Sequence, residues 1–404
     1  MKILVVCQHY WPENFRINDL VDGFIERGHE VDVLCGQPNY PAGHFFKGYD
    51  SHSVKEEQHG KVKVYRTFEI KRGNNSNIRI FLNYITFPIA SLFHIGKLKK
   101  KEYDRVFIYQ LSPVMMGVAG QKLAKKKHIP CIMYVLDIWP QNLYSVINFK
   151  NKFIRKMLYK EAMWNYRQPD RLITVSDKMK QYFMEKLNRT EEQVTFIPQC
   201  PEKMYEQRME DEELKCRFGS SFNIVYTGNI SPAQDIDTIV SVAKKCADAG
   251  MEDVRFLIVG DGMSRNYFEE QVAKNGLERL FCFEGFHPME VIPKYTGIAD
   301  ALLGTLKSEG LEDFSIPAKV MSYLAAGRPL LLAMEGEPES IVKEADCGFA
   351  SKPGDAEGLF DNICKLYNMT KMDRDILGEH AFCYQQEHFE RDKNIEKMLE
   401  VICR

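Results

Sequence analysis

Short apolar runs alternate along the chain with longer stretches whose apolar positions recur every three to four residues. In the first half the runs fall at residues 3–7, 31–35, 62–68, 105–109, 131–136, 172–175 and 194–197, with a helix-like stretch at 18–27. Runs of this length bounded by Gly, Pro or polar residues predict buried strands, and their alternation with helical patterns predicts a parallel sheet covered on both faces. Ile197-Pro198-Gln199-Cys200-Pro201 and the acidic stretch 202–213 break the period and read as a linker. A second series follows, with strands at 222–226, 255–259, 280–283, 301–304 and 330–333 and helices at 235–249, 264–275 and 317–326. The expected architecture is α/β: two doubly wound Rossmann-like domains facing each other across a cleft, with chemistry on the strand-end loops. A chain of 404 residues suits two cores rather than one.

Charge divides the same way. Residues 1–200 hold 31 Lys and Arg against 19 Asp and Glu, and residues 201–404 hold 23 against 37. The basic clusters Lys97, Lys99, Lys100, Lys101, then Lys125, Lys126, Lys127, then Lys150, Lys152, Arg155, Lys156 share a half with residues 80–96, which carry no Asp, Glu, Lys or Arg but do carry Phe81, Tyr84, Phe87 and Phe93. That stretch falls short of a membrane span and reads as a helix that is buried or lies at an interface, where basic neighbours suit an anionic leaflet. Solvated helix ends would show the same lysines. No helix-turn-helix, zinc or RNA-recognition signature accompanies the charge, so nucleic acid is not expected. Eleven cysteines without a Cys-x-x-Cys pair argue against a disulfide framework and for a reducing compartment. The apolar start, residues 3–7, is too short for a signal-peptide core and reads as a first strand.

Several motifs could carry chemistry. Gly228 and Asn229, with Gln234, follow the first strand of the second series, where a glycine permits close approach and a helix start can bind a diphosphate without metal; an unliganded turn would look the same. Asp261 and Gly262 end the next strand with the same two readings, and Phe286 either supports a nucleobase or is core. The segment Ser315-Ile316-Pro317-Ala318-Lys319-Val320-Met321-Ser322 is more informative. It puts proline at a first helical position and a lysine in the first turn, where the macrodipole disfavours a cation unless an anion is bound. Asp137 either orients a reacting hydroxyl or caps its loop, while Glu13, Asn14 and Arg16 follow the first strand. Asp235-Ile236-Asp237 spells a metal-binding Asp-x-Asp, but acids in a helix's first turn are ordinary dipole complements, and no metal is expected.

In order and spacing, Tyr10-Trp11-Pro12-Glu13-Asn14-Phe15-Arg16, Arg27-Gly28-His29, Gln37-Pro38-Asn39-Tyr40-Pro41, Asp137-Ile138-Trp139-Pro140, Tyr226-Thr227-Gly228-Asn229, Val259-Gly260-Asp261-Gly262 and Ile316-Pro317-Ala318-Lys319 resemble the retaining glycosyltransferases of family 4, which have the GT-B fold. The chain looks nearest to the bacterial capsule and O-antigen branch that transfers N-acetylated amino sugars such as L-fucosamine. The resemblance implies an acceptor-binding, membrane-facing domain at 1–200, a nucleotide-sugar-binding domain at 201–385 and a C-terminal helix at 386–404 crossing back to the first. It implies transfer from a nucleotide sugar, UDP with an N-acetylhexosamine, to a polyprenyl-diphosphate-linked saccharide, in the cytoplasm on the inner face of the plasma membrane and without a cofactor.

Carried over residue by residue, Lys319 stabilises the leaving diphosphate and Asp137 orients the acceptor hydroxyl or helps remove its proton. Gly228, Asn229, Gln234, Asp261, Gly262, Phe286, Ser315, Pro317, Ala318 and Ser322 contact the donor, and Glu13, Asn14, Arg16, Asn39 and Tyr40 the acceptor. The family's Glu-x7-Glu would put acids at 314 and 322, where this chain has Phe314 and Ser322, so ribose contact falls to Ser322, Glu309 or Glu312. A nucleotide-sugar 2-epimerase of the same architecture and a non-catalytic nucleotide-sugar-binding partner of a polysaccharide assembly complex are the alternatives.

Overall fold

A computed structural model describes the chain except residues 42, 74–76, 142, 144–150, 206–207, 210 and 308–315. It forms two compact units, Met1–Pro198 with Asp392–Arg404, and Gln199–Arg391.

The first unit is built on an eight-stranded sheet: β1 (Lys2–Val6), β2 (Glu30–Cys35), β3 (Glu56–His59), β4 (Val62–Arg66), β5 (Arg105–Gln110), β6 (Cys131–Val135), β7 (Arg171–Thr174) and β8 (Val194–Phe196), ordered β3-β4-β2-β1-β5-β6-β7-β8. All neighbours are parallel except β3 and β4. Among the described residues its longer helices are α1 (Ile17–Glu26), α2 (Asn77–Ser91), α3 (Val118–Lys127), α4 (Lys152–Arg167) and α5 (Asp177–Leu187). Strands β1 and β6 are solidly buried, as expected of runs covered on both faces. Strand β3 has the sequence Glu-Glu-Gln-His and gives no apolar signal, so only its edge pairing with β4 makes it a strand.

The second unit has a six-stranded parallel sheet of β9 (Phe222–Thr227), β10 (Val254–Val259), β11 (Phe281–Gly285), β12 (Ala301–Thr305), β13 (Leu330–Ala333) and β14 (Gly348–Ser351), ordered β11-β10-β9-β12-β13-β14. Its helices are α6 (Glu212–Phe218), α7 (Ile236–Asp248), α8 (Arg265–Lys274), α9 (Ile292–Gly297), α10 (Ala318–Ala326), α11 (Glu337–Ala345), α12 (Ala356–Asn368) and α13 (Lys371–His388). Cores lie on both faces of the sheet: Ile224, Phe256 and Leu303 pack toward α7 and α12, and Val225, Leu257 and Leu302 toward α10. Both sheets therefore have the doubly wound form that the alternation of runs predicts.

Five expectations need correction. The stretch 202–213 is not a loose linker: Tyr205 joins the second core, Glu202 is buried, and α6 is capped by Asp211, whose carboxylate accepts from Leu214 N at 3.0 Å. Leu280 lies in a 3-10 turn before β11, β4 stops at Arg66, and Pro317 caps α10 rather than opening it. Residues 80–96 belong to a 21-residue helical stretch, Ile78–Leu98, that meets the length and apolarity of a membrane span, with mean hydropathy 1.4 over an 18-residue window. The last helix, α14 (Arg391–Cys403), groups from Asp392 with the first unit: Arg105 and Arg171 donate to the carbonyls of Ile402 and Val401 at 2.9 and 3.1 Å, placing cations on the negative end of its dipole.

Candidate functional site

In the second unit the loops after β9 and β10 interlock. Gly228 has φ +122° and Gly260 φ +146°, and a Cβ on Gly260 would stand 1.9 Å from the Gly228 carbonyl oxygen. The contact is closed by Gly228 N donating to Val259 O at 2.9 Å and Ile230 N to Asp261 O at 2.9 Å. These glycines thus build a tight strand-end platform, and the Gly228 amide is already used. Gly262 N likewise donates to Asp261 Oδ1 at 2.7 Å. Asn229, Asp261 and Phe286 are exposed at this edge.

Lys319, in the first turn of α10, lies over the platform. Its stem passes Gly304 and Gly228, where added Cβ atoms would meet it at 3.8 and 4.0 Å, and its ammonium sits 3.9 Å from the centre of the Tyr226 ring. Lys319 Nζ and Tyr226 Oη both donate to Gln234 Oε1, the latter at 3.1 Å, and Thr305 Oγ1 donates to the Gln234 carbonyl. Among the described residues no carboxylate pairs with Lys319. Burial lowers its pKa to about 7. The result is an under-solvated cation at a helix start, held by a neutral amide and an aromatic face, which an incoming anion would complete.

The two acids of the Asp-x-Asp are engaged separately. Asp235 Oδ2 accepts from Thr238 Oγ1 at 2.7 Å and Gly354 N at 3.0 Å, while Asp237 Oδ1 accepts from Tyr267 Oη at 2.6 Å. Among the described residues no group of three His, Cys, Asp or Glu could hold a metal.

Ser322 is buried, and its Oγ donates to Glu202 Oε2 at 3.1 Å. Sequence reasoning missed Glu202, because proximity in the fold, across 120 positions of sequence, is what brings a carboxylate to the place where the family motif lacks one. Ala318 is exposed and Pro317 half-buried at the same helix start. Ser315, with Phe314, Glu309 and Glu312, lies outside the described residues, as does Lys150.

In the first unit the predicted acceptor residues divide. Glu13 is buried, its Oε1 accepting from Asn39 N at 2.8 Å and Tyr40 N at 2.7 Å, with His9 Nδ1 3.0 Å from Oε2. The contact between Glu13 Oε2 and His9 Nδ1 fixes the imidazole ring, which stacks on Phe15 at 4.7 Å. Asn39 is also spent inside the loop, donating to Gln37 O at 2.8 Å and accepting from Arg72 N at 3.2 Å. Glu13 and Asn39 are therefore scaffold, and of the five only Asn14, Arg16 and Tyr40 are exposed or half-buried. Asp137 accepts from Ser112 N and Oγ, both at 3.2 Å, tying the loops after β5 and β6 together, and is itself half-buried. Tyr166 Oη donates to the Asp137 carbonyl and accepts from Trp139 N, which fixes the Asp-Ile-Trp-Pro turn.

Comparison with known proteins matches residues 15–200 to the Glycosyltransferase Family 4 model and residues 212–381 to the Glycosyl transferases group 1 model. The 2-deoxystreptamine N-acetyl-D-glucosaminyltransferase of Niallia circulans is 24% identical over 87% of each chain. WcaI of Escherichia coli K12, named for colanic acid biosynthesis, is 24% identical over 84% of each. Among solved structures, Anabaena Alr3699/HepE in complex with UDP superimposes with a TM-score of 0.71 at 16% identity, covering 100% of both chains. With a family 4 domain followed by a group 1 domain on two Rossmann-like sheets, the chain is a glycosyltransferase of the GT-B fold.

Proposed function

We propose that the protein transfers an N-acetylhexosamine from UDP, with retention, to a polyprenyl-diphosphate-linked saccharide in cell-surface polysaccharide biosynthesis. The observation that carries this reading is Lys319: a cation without an acid partner among the described residues, at a helix start beside the strand-end platform, suits a leaving diphosphate. As the glycosidic bond breaks, negative charge grows on the diphosphate oxygen, and a preorganised ammonium there is worth several kcal/mol in the transition state. Glu202, presented beside Ser322, holds a ribose hydroxyl in place of the family's second glutamate. Asp137 orients the acceptor hydroxyl, and the departing phosphate oxygen takes its proton. UDP in the HepE structure and the polysaccharide role in the WcaI name support the donor and the pathway class.

The lipid half of the reading is supported by α2. Its buried side carries Asn83, which donates to Glu69 Oε1 at 2.7 Å, and its outer side carries Ile78, Phe81, Leu82 and Ile89, all exposed and in one helical stripe, which exposed Phe93 continues in the 3-10 turn after it. A helix anchored by a polar residue inward and apolar outward lies at a lipid interface rather than spanning it. Vesicles containing an anionic lipid should pull down the wild type, and Phe81→Ser with Phe93→Ser should release it.

Calorimetric titration in chelator against UDP, GDP, dTDP and UDP-N-acetylglucosamine, with Lys319→Ala alongside, tests the donor. Binding of a uridine nucleotide that Lys319→Ala weakens is expected. Binding only with divalent metal would overturn the reading, and donor binding without turnover on any acceptor would favour the non-catalytic partner.

A further inference from the structure

Arg72 follows β4 and reaches into the group of loops at the carboxyl edge of the first sheet. Its guanidinium is stacked between two tyrosines, 5.3 Å from the centre of the Tyr40 ring and 5.6 Å from that of Tyr84. Its backbone N donates to Asn39 Oδ1 at 3.2 Å, so the same Glu13-organised loop that fixes Tyr40 fixes the start of the arginine side chain. Tyr84 in turn packs edge-on against Trp139 at 6.2 Å, two residues from Asp137. Through these rings the arginine stands within one contact chain of the Asp137 turn.

Among the described residues no carboxylate pairs with Arg72. Among the described residues Nε is closed off from solvent with no acceptor, while Nη2 donates to Tyr84 Oη at 3.4 Å. The nearby acids are committed elsewhere: Glu13 to two amides and His9, Asp137 to Ser112. Ring faces hold a guanidinium in place without satisfying its in-plane N–H donors, so the remaining Nη N–H groups stay available to an anion. Tyr84 Oη, accepting from the arginine, keeps its own proton to donate. The guanidinium and this hydroxyl together offer several donors, which suits a phosphate with its greater number of acceptor oxygens better than a single carboxylate.

We infer that Arg72, clamped by Tyr40 and Tyr84, binds a phosphate or diphosphate group of the acceptor. This rests on the first unit being the acceptor unit, and it makes the acceptor's anionic group, rather than its sugar alone, a determinant of recognition near Asp137. The phosphate chemistry could belong to a lipid diphosphate or to a free phosphate compound.

The test is titration of inorganic pyrophosphate, farnesyl diphosphate and malonate into the full-length protein saturated with UDP, and into Lys319→Ala without UDP, so that failure of the donor site and failure of this one separate. Both phosphates should bind in both settings, and Arg72→Gln should weaken them about tenfold or more with UDP affinity unchanged. Tyr84→Phe, which keeps the ring and loses the hydroxyl, should weaken them less. Tighter binding of farnesyl diphosphate than of pyrophosphate would assign the site to a lipid-linked acceptor, and equal binding to the phosphate itself. No pyrophosphate binding in either setting, undiminished binding to Arg72→Gln, or malonate binding as tightly as pyrophosphate would overturn the inference.

Discussion

The carboxyl edges of the two sheets each present a cation lacking an acid partner among the described residues, and they do so by different means. Lys319 is held by burial, one amide oxygen and one ring, and its pKa falls to about 7. Arg72 is held by two rings, and guanidinium groups in proteins are permanent cations. The lysine is a site whose charge depends on its ligand, whereas the arginine is a fixed feature that a ligand must match. A leaving group whose charge develops during reaction suits the first, and a substrate group whose charge never changes suits the second. Substitutions that remove each cation should therefore fail differently.

The largest effect is expected at Lys319. Lys319→Ala should lower kcat/KM by about 10²–10³, in line with loss of one preorganised contact to developing charge. If Arg72→Gln gave the same loss in kcat with no change in acceptor KM, the distinction between the two edges would collapse. Next comes Glu13, whose role is structural. Glu13→Ala strands two amides and a buried imidazole and should cost about 2–4 kcal/mol in denaturant unfolding, while UDP affinity holds. Loss of UDP binding in a folded Glu13→Ala would contradict its assignment to the first unit's scaffold.

Glu202 sharpens the same comparison from the donor side. Glu202→Gln should weaken UDP about tenfold, since a hydroxyl bonded to a carboxylate loses its charge assistance, and should weaken pyrophosphate little because pyrophosphate has no ribose. Equal weakening of the two would move Glu202 out of the ribose site.

The doubly wound sheets were legible because buried parallel strands are continuous apolar runs, and β1, β6 and β9 fall on those predicted. Strand β3 was not legible, being polar and defined by a partner, nor was the fate of 202–213, whose acids read as solvated until Glu202 met Ser322. The site was legible by residue type and not by role. Lys319 stood out because it conflicts with the helix dipole, but nothing in a linear sequence says that Glu13 and Asn39 are consumed by their own loop. Arg72 was overlooked for the converse reason: its significance lies in the absence, among the described residues, of an acid paired with it in space, and an adjacent basic pair, Lys71-Arg72, looks like ordinary surface.

The smallest effect, and the one that most directly separates a titrating cation from a fixed one, is proton linkage in nucleotide binding. With a pKa of about 7 in the free protein, Lys319 is mostly neutral at pH 8. A diphosphate placed beside it favours the charged form, so its pKa rises on binding and the complex takes up a proton from solution. Well below pH 7 the lysine is charged in both states and uptake vanishes; through and above pH 7 uptake grows, and affinity falls toward a limit of tenfold per pH unit until the pKa of the complex is passed. UDP is fully ionised across that upper range, so it contributes no proton of its own. Calorimetry at pH 8 in two buffers of different ionisation enthalpy should give an uptake approaching one proton for wild type and none for Lys319→Ala, whereas pyrophosphate bound at Arg72 in the Lys319→Ala protein should show no uptake at that pH. Uptake that persisted in Lys319→Ala would assign the linked proton to another group and leave the two edges electrostatically alike.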